Sequence, residues 1–218
     1  MGYMANPLSR RVGELIDGAV VIPVLTLRDV ATAVPLAEAL ARGGLAVLEI
    51  TLRTDAALDA IGAIGKALPE VALGAGTLLD RTHLQAAADR GCRFAVSPGA
   101  TPALLDAAEA VGVPFLPGAA TAGEAMALAE RGYLRQKLFP AEASGGVLFL
   151  KSLGEPLPQV RFCPTGGIDV AKAPSYLALK NVACVGGSWV APKEVVEAGD
   201  WRTVERLAAE AVALRIQP

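Results

Sequence analysis

Short runs of apolar, mostly β-branched residues recur along the chain, and each is followed by an Ala- and Leu-rich stretch with helical spacing. This alternation is typical of strand–helix–strand units. Eight strands are predicted, over residues 20–25, 46–52, 71–75, 92–97, 113–116, 134–139, 160–163 and 182–185. Because these runs are apolar at nearly every position, both faces of the sheet should be covered, and this favours parallel strands.

Local signals place helices between these strands. Thr101 followed by Pro102, and Thr121 followed by Glu124, have the pattern of helix starts. Three glycines have the pattern of helix ends, namely Gly91, Gly112 and Gly132. A further helix is predicted ahead of the first strand, over residues 7–17.

Eight parallel strands, each followed by a helix, predict an α/β protein with the (β/α)8 or TIM barrel architecture. The extra N-terminal helix is expected to cover the floor of the barrel. No break in composition and no long linker divides the sequence, so residues 1–218 are expected to form a single domain. A doubly wound sheet shows the same alternation of elements and is the competing fold.

Composition narrows the range of partners. The chain is 53% hydrophobic and 19% charged, which suits a large buried core, and its formal net charge of -2 arises without any block of like charge. Neither a nucleic-acid surface nor a membrane-surface helix is indicated, and the apolar runs are too short to span a bilayer. The N-terminus lacks a basic region followed by an apolar stretch, so a cytoplasmic protein acting on a small neutral or anionic metabolite is expected.

Metal chemistry is disfavoured by the residue types present. His83 is the only histidine, and its position after Asp80 predicts a helix residue. The three cysteines, Cys92, Cys163 and Cys184, lie in separate apolar strands without a Cys-x-x-Cys pair. We therefore expect reduced buried thiols, no metal site and no cofactor.

Lys137 is the lysine that interrupts a predicted strand, whereas the other lysines fall in helical or loop segments. Burial among apolar side chains disfavours the ammonium form, and a neutral lysine amine is the nucleophile that forms a Schiff base. Arg135 shares the parity of Lys137 and would favour the neutral amine further if it reached the same site. The alternative is a structural lysine that extends to the surface or pairs with Glu142.

Glu49, Thr51 and Arg53 share one face of the second strand. At the carboxyl end of a barrel strand, Glu49 would serve as a general acid and base, and Arg53 would bind a carboxylate group. The alternative is a buried ion pair between Glu49 and Arg53 with a purely structural role.

Glycines follow three of the strands. Gly74-Ala75-Gly76-Thr77 lacks the third glycine of a dinucleotide-binding motif, and either a close approach of ligand to backbone or a tight turn explains it. Thr165-Gly166-Gly167 and Gly186-Gly187-Ser188 end the last two strands, where barrels often bind phosphate through exposed backbone N–H groups. A phosphorylated substrate is therefore expected, with plain flexible turns as the alternative.

Six motifs of this chain resemble, in residues and in order, those of the KDPG/KHG aldolase family. KDPG stands for 2-keto-3-deoxy-6-phosphogluconate. The similarity runs from about Val20 to beyond Trp189. The motifs are Leu48-Glu49-Ile50-Thr51-Leu52-Arg53-Thr54, Gly74-Ala75-Gly76-Thr77, Ser97-Pro98-Gly99, Lys137-Leu138-Phe139-Pro140-Ala141-Glu142, Arg161-Phe162-Cys163-Pro164-Thr165-Gly166-Gly167-Ile168 and Gly186-Gly187-Ser188-Trp189.

The resemblance implies a trimeric class I aldolase that cleaves KDPG to pyruvate and glyceraldehyde 3-phosphate in the Entner–Doudoroff pathway. It makes Lys137 the Schiff-base lysine and Glu49 the acid and base. It assigns the pyruvyl carboxylate to Arg53 and Thr77, and the walls of the pyruvate pocket to Pro98 and Phe139. The residues implied for the polar and phosphate end are Thr165, Gly166, Gly167, Gly187 and Ser188.

Three other functions remain open at this point. The chain could cleave 4-hydroxy-2-oxoglutarate to pyruvate and glyoxylate, as a side activity or as the main one. It could act on the epimeric 2-keto-3-deoxy-6-phosphogalactonate, although related galactonate aldolases resemble this pattern with an apolar residue where Thr165 stands. It could also be a barrel that binds phosphosugars without turnover, which the presence of both Lys137 and Glu49 disfavours.

Overall fold

The strands are short, parallel and arranged in two sheets. The computed structural model describes residues 2–214. The strands of this part of the chain are β1 (Val21–Leu25), β2 (Val47–Thr51), β3 (Ala72–Gly76), β4 (Phe94–Val96), β5 (Phe115–Leu116), β6 (Gly118–Ala119), β7 (Arg135–Leu138), β8 (Arg161–Pro164) and β9 (Val185–Gly187).

Neighbouring strands within each sheet are consecutive in the chain, except that the last strand, β9, pairs with the first, β1. A six-stranded sheet has the order β5-β4-β3-β2-β1-β9, and a three-stranded sheet has the order β6-β7-β8. All pairs are parallel; for example, Glu49 of β2 stands opposite Val24 of β1 and Gly74 of β3. Two isolated parallel bridges, Phe162 with Val182 and Thr165 with Gly186, link the two sheets.

Helices connect successive strands and cover the sheets. The α-helices within residues 2–214 are α1 (Pro7–Ile16), α2 (Ala33–Arg42), α3 (Ala57–Ala67), α4 (Arg81–Asp89), α5 (Pro102–Val111), α6 (Ala122–Glu130), α7 (Gly146–Leu153), α8 (Ala173–Leu177), α9 (Lys193–Glu197) and α10 (Trp201–Ala213). None of them combines the length and the apolarity that crossing a bilayer requires.

The predicted helix starts carry real caps. The Thr121 hydroxyl accepts a hydrogen bond from the Glu124 N–H, and the Glu124 carboxylate accepts one from the Thr121 N–H, which together form a capping box. At the start of α5 the Thr101 hydroxyl accepts a hydrogen bond from the Leu104 N–H. Gly112 ends that helix with φ 76°, a left-handed conformation that glycine adopts without steric cost.

Two predicted strands differ from those observed. The fifth, predicted over residues 113–116, begins later as β5 and continues beyond Pro117 as β6; the two segments are separate because proline has no N–H group to donate to a strand ladder. The last lies further along the chain than predicted, at Val185–Gly187, and Val182 makes only an isolated bridge. The expectation of eight uninterrupted strands in one sheet is therefore met only in part.

Two sets of buried side chains separate the inward from the outward face of the strands. The larger set lies between the strands and the helices and includes Leu48, Ile50 and Leu138. The smaller set joins α1 to the opposite strand faces and consists of Val12, Ile16, Ile22, Phe94, Val96, Leu116, Cys163, Ala183 and Cys184. Because side chains alternate along a strand, Glu49 and Lys137 share the face of this smaller set.

Helices α2 and α10 approach each other closely at Gly43, which ends α2. A Cβ atom at this position would lie 2.4 Å from the Ala208 Cβ and 2.6 Å from the Glu205 carbonyl oxygen. The contact therefore depends on the missing side chain, because the backbone of α10 cannot yield locally.

We expect Gly43→Ala to destabilise the protein by about 1–3 kcal/mol, since overpacking against backbone forces the two helices apart. Gly123→Ala in α6 is the matched control, because a Cβ there would meet nothing within 4 Å. It should change stability by less than about 1 kcal/mol, in the stabilising direction. Urea denaturation measures both, and equal stability of the two variants would contradict the close contact.

Candidate active site

Lys137 and Glu49 form a buried ion pair between the two sheets. Lys137 in β7 is 5% exposed and Glu49 in β2 is 3% exposed. The lysine Nζ lies 3.0 Å from Glu49 Oε1 and 3.3 Å from Oε2, so it donates to both carboxylate oxygens. A proton can therefore pass between the two groups along a single hydrogen bond.

Two glycines in β3 make room for neighbouring side chains, Gly76 for Glu49 and Gly74 for Phe94. A Cβ atom at Gly76 would lie 2.2 Å from Glu49 Oε1, and one at Gly74 would lie 2.3 Å from the Phe94 ring. The absence of a side chain at Gly76 therefore already has one structural reason, the approach of the protein's own Glu49 side chain. Any residue other than glycine at position 76 would displace the carboxylate from Lys137.

The alternatives named other partners for Lys137 and Glu49 than those observed, and Lys137 does not extend to the surface. Lys137 does not pair with Glu142, whose carboxylate contacts Tyr176 and Lys172 instead. Among the ion pairs of residues 2–214, Glu49 contacts Lys137 and not Arg53. The reason is geometric, since β2 and β7 face each other across the interior and neither side chain has to extend along its own strand.

Arg135 shares the face of Lys137, as its parity predicts, but it lies at the amino end of β7. Its Nε donates to Asp17 Oδ1 at 2.8 Å and its Nη2 to Asp17 Oδ2 at 2.5 Å. Asp17 caps the end of α1. The guanidinium charge is thus balanced by a bidentate ion pair at the opposite end of the strand, which gives no support to a role beside Lys137.

Arg53 is held by threonine hydroxyls. Its Nη2 donates to Thr26 Oγ1 at 2.6 Å and its Nε donates to Thr51 Oγ1 at 3.2 Å. The Thr51 hydroxyl in turn donates to the Leu25 carbonyl at 2.9 Å. Since no carboxylate within residues 2–214 forms an ion pair with Arg53, its guanidinium remains able to bind an anionic group of a ligand.

A cavity of about 850 Å³ opens at the carboxyl ends of the strands, near the Lys137–Glu49 pair. This volume is typical of small-molecule sites. Its lining includes seven of the predicted site residues, namely Arg53, Phe139, Thr165, Gly166, Gly167, Gly187 and Ser188. The Phe139 ring connects it to the ion pair, since the ring centroid lies 5.5 Å from Lys137 Nζ.

The four remaining predicted site residues, Lys137, Glu49, Thr77 and Pro98, are not part of the cavity lining. Thr77 follows β3 with φ 64°, the one left-handed non-glycine residue among residues 2–214. Such strained positions are concentrated at functional sites. Pro98 follows β4, and its carbonyl lies so close to Gly118 that a Cβ there would approach within 2.2 Å of the oxygen.

The two predicted anion-binding turns have different structural reasons for their glycines. Gly166 and Gly167 have φ of 104° and 80°, which glycine alone adopts readily. A Cβ at Gly186 would lie 2.2 Å from Thr165 Oγ1, and one at Gly187 would lie 1.7 Å from the Trp189 ring. The second turn is therefore shaped by side-chain packing as well as by any ligand.

Sequence reasoning missed the segment after β1. Thr26, Arg28 and Asp29 line the cavity, as does Lys193 at the start of α9. The signal was present, because polar residues follow an apolar strand there as they do after β2 and β8. Applying the strand-end rule to the first strand would have found Thr26, Arg28 and Asp29.

The fold and the site together define a parallel α/β protein with a buried lysine–carboxylate pair beside a cavity at its strand ends. Its residues 12–207 match the family model described as KDPG and KHG aldolase. A 2-dehydro-3-deoxy-phosphogluconate aldolase of Pseudoalteromonas atlantica is 50% identical, over 88% of this chain and 90% of its own. The KHG/KDPG aldolase of Escherichia coli K12 is 49% identical over the same shares.

Solved structures agree. The KDPG aldolase of Legionella pneumophila, with pyruvate captured at low pH as a covalent carbinolamine intermediate, superimposes with a TM-score of 0.90 at 41% identity, covering 92% of this chain and 97% of that one. The Zymomonas mobilis enzyme with 3-phosphoglycerate gives a TM-score of 0.90 at 46% identity, covering 94% and 97%. This chain belongs to the KDPG and KHG aldolase family.

We expect Lys137→Met to destabilise the protein by about 3–5 kcal/mol, because it leaves the Glu49 carboxylate buried without its partner. The double variant Lys137→Met with Glu49→Leu should recover much of that loss, since no buried charge remains. Arg206→Met, which breaks an exposed pair with Glu210, is the control and should cost less than about 1 kcal/mol. Denaturant titration measures the free energy of unfolding of each variant. Equal losses for Lys137→Met and Arg206→Met would contradict the burial of the Lys137–Glu49 pair.

Proposed function

We propose that this protein is a class I aldolase that cleaves 2-keto-3-deoxy-6-phosphogluconate to pyruvate and glyceraldehyde 3-phosphate. The observation that carries the proposal is the 3.0 Å contact between Lys137 Nζ and Glu49 Oε1, enclosed beside the cavity. The carbinolamine captured in the Legionella relative supports a covalent route through a lysine amine. As an aldolase, the chain is a carbon–carbon lyase.

The ion pair supplies both protein groups that the first step requires, an amine and an acid. Transfer of one proton from the Lys137 ammonium to Glu49 gives a neutral amine and a carboxylic acid at hydrogen-bond distance. The amine attacks the C2 ketone of the substrate, forming a C–N bond as the C=O π bond breaks, and Glu49 passes the proton that the nitrogen loses to the carbonyl oxygen, ending protonated itself. Glu49 then protonates the hydroxyl of the carbinolamine, which leaves as water, and a protonated imine remains.

The imine makes carbon–carbon cleavage possible. Removal of the proton from the C4 hydroxyl forms the aldehyde carbonyl and breaks the C3–C4 bond, and the released electron pair flows into the imine to give an enamine. Protonation of C3 and hydrolysis release pyruvate and restore Lys137. We assign these successive proton transfers to Glu49, since it is the carboxylate in contact with the reacting nitrogen.

The cavity divides naturally into two binding ends. We assign the pyruvyl carboxylate to Arg53, whose guanidinium is oriented by Thr26 and Thr51, together with Thr77. Pro98 and Phe139 would form the walls around the three-carbon fragment. The polar and phosphate end is assigned to Thr165, Gly166, Gly167, Gly187 and Ser188, because the glycine turns there can offer backbone N–H groups to an anion.

The architecture that we propose is a closed (β/α)8 barrel formed as a single domain over residues 1–218. Chain continuity through Pro117 and the bridges of Phe162 and Thr165 to the β9 segment support closure. The extra N-terminal helix, α1, would cover the floor, because Val12 and Ile16 pack with the inward side chains of the strands.

Assembly and location are further proposals. The family resemblance suggests a homotrimer, which the molar mass measured by light scattering tests. A cytoplasmic location fits a bacterial metabolic enzyme of this family, and fractionation with a cytoplasmic marker tests it. Neither a nucleic acid nor a membrane is expected as a partner, and the small-molecule partner is the phosphorylated keto acid.

Borohydride reduction in the presence of pyruvate should leave a stable adduct on Lys137, because reduction of the imine makes the C–N bond permanent. Peptide mass analysis identifies the modified residue. Lys137→Met should give no adduct, whereas Lys151→Met, the same change at an exposed lysine of α7, should react like the parent. An adduct on another lysine would refute the assignment.

Glu49→Gln tests the assignment of Glu49 as the acid and base. The amide keeps the size of the side chain but cannot exchange protons, so kcat should fall by about 10²–10⁴-fold.

Cleavage of 4-hydroxy-2-oxoglutarate to pyruvate and glyoxylate is the second candidate, since the matching family includes enzymes named for it. We expect the specificity constant of the parent protein to be higher for the phosphorylated substrate, because the glycine turns supply an anion site that the smaller substrate leaves empty. Equal or reversed constants would contradict the phosphate assignment. The same assay with 2-keto-3-deoxy-6-phosphogalactonate tests the epimer, and a protein that merely binds phosphosugars would release no pyruvate at all.

A further inference from the structure

Glu142, five residues beyond Lys137, packs directly on the turn that follows β8. Its N–H donates to the Gly166 carbonyl at 3.1 Å. A Cβ atom at Gly167 would lie 2.7 Å from Glu142 Cγ and 2.9 Å from its Cβ. The turn therefore rests on the glutamate side chain, and the left-handed φ of Gly167 lets it approach this closely.

Tyr176 of α8 fixes one oxygen of the Glu142 carboxylate. Its hydroxyl donates to Oε1, and the tyrosine is completely buried in the larger core. A hydroxyl on an immobile ring holds its acceptor in one place. The hydrogen bond from Tyr176, followed by that from Lys172, lowers the pKa of Glu142, which keeps the carboxylate ionised in this position.

Lys172, which precedes α8, joins the carboxylate to the turn itself. Its Nζ lies 3.0 Å from Glu142 Oε2 and donates to the Gly167 carbonyl at 2.8 Å. An exposed ion pair of this kind contributes little stability. Its effect is geometric, because one ammonium group ties the glutamate and the glycine turn together.

We propose that Glu142, held by Tyr176 and Lys172, is a positioning residue that fixes the Gly166–Gly167 turn and thereby sets the affinity for the phosphate group of the substrate. The inference rests on the proposed function, which assigns phosphate to this turn. Glu142 does not line the 850 Å³ cavity, so it acts through the turn. Its contacts with Tyr176 and Lys172 also reduce the repulsion between its charge and a bound phosphate.

Tyr176→Phe tests the inference with the least disturbance, because it keeps the packed ring and removes only the hydroxyl. Lys172→Met, at an exposed position, is the second variant and does not endanger the core. Tyr133→Phe is the matched control, since it removes another fully buried tyrosine hydroxyl whose acceptor, Glu109, lies outside the cavity lining.

For each variant, KM and kcat are measured with 2-keto-3-deoxy-6-phosphogluconate and with 4-hydroxy-2-oxoglutarate. For Tyr176→Phe and Lys172→Met we expect KM for the phosphorylated substrate to rise about five- to tenfold, with kcat within about twofold, because an interaction with a non-reacting group is lost. KM for the unphosphorylated substrate should not change. Tyr133→Phe should leave both KM values unchanged.

The two levels of the hypothesis fail in different ways. A parent protein that forms no pyruvate adduct on Lys137 refutes the proposed function, and the inference with it. A parent protein that forms the adduct, together with variants whose KM rises equally for both substrates or for neither, refutes the inference alone. A rise with Lys172→Met but not with Tyr176→Phe also refutes it, because loss of a nearby cation would then explain the effect.

Discussion

The contact between Lys137 and Glu49 is the constraint on which the rest of the site depends. Two charged groups that are at most 5% exposed can coexist only when they neutralise each other, because an isolated buried charge is far too costly. One partner comes from the six-stranded sheet and the other from the three-stranded sheet. One interaction therefore links the chemistry of the site to the mutual placement of the two sheets.

Glycine is the residue type that makes this arrangement fit. Gly76 leaves space for the Glu49 carboxylate, Gly186 for Thr165 Oγ1, and Gly187 for the Trp189 ring. In each case the missing side chain admits another side chain, whereas a ligand needs only the exposed backbone. A glycine-rich strand end thus gives an ambiguous signal in a sequence, since side-chain packing and ligand approach both require it.

The sequence predicted which residues belong to the site better than it predicted their partners. Parity placed Glu49 on the same face of its strand as Thr51 and Arg53 without telling whether that face is inward, and strand ends indicated Thr165 and Gly166 as cavity residues. Neither property tells which strands face each other across the interior, because that depends on how the sheets curve. For this reason the pairing of Lys137 with Glu49, and the orientation of Arg53 by Thr26, required the structure.

The division of the fifth strand at Pro117 was missed for a simpler reason. The apolar run up to residue 116 gave no indication that pairing would resume at Gly118, and a proline usually ends a strand. The strand does resume, since Lys137 stands opposite Gly118 in the three-stranded sheet. The interruption lies directly beside the strand that carries Lys137.

β7 carries a cation at each end of its inward face, and the two are matched by different elements. Arg135 is held by Asp17 of the N-terminal segment, whereas Lys137 is held by Glu49 from another strand. The anchoring of this strand to the amino-terminal helix is therefore separate from the ion pair at its carboxyl end. Efforts to redirect the enzyme toward other aldehydes can therefore change the segments that line the cavity, while the ion pair between Arg135 and Asp17 beneath them keeps β7 in register.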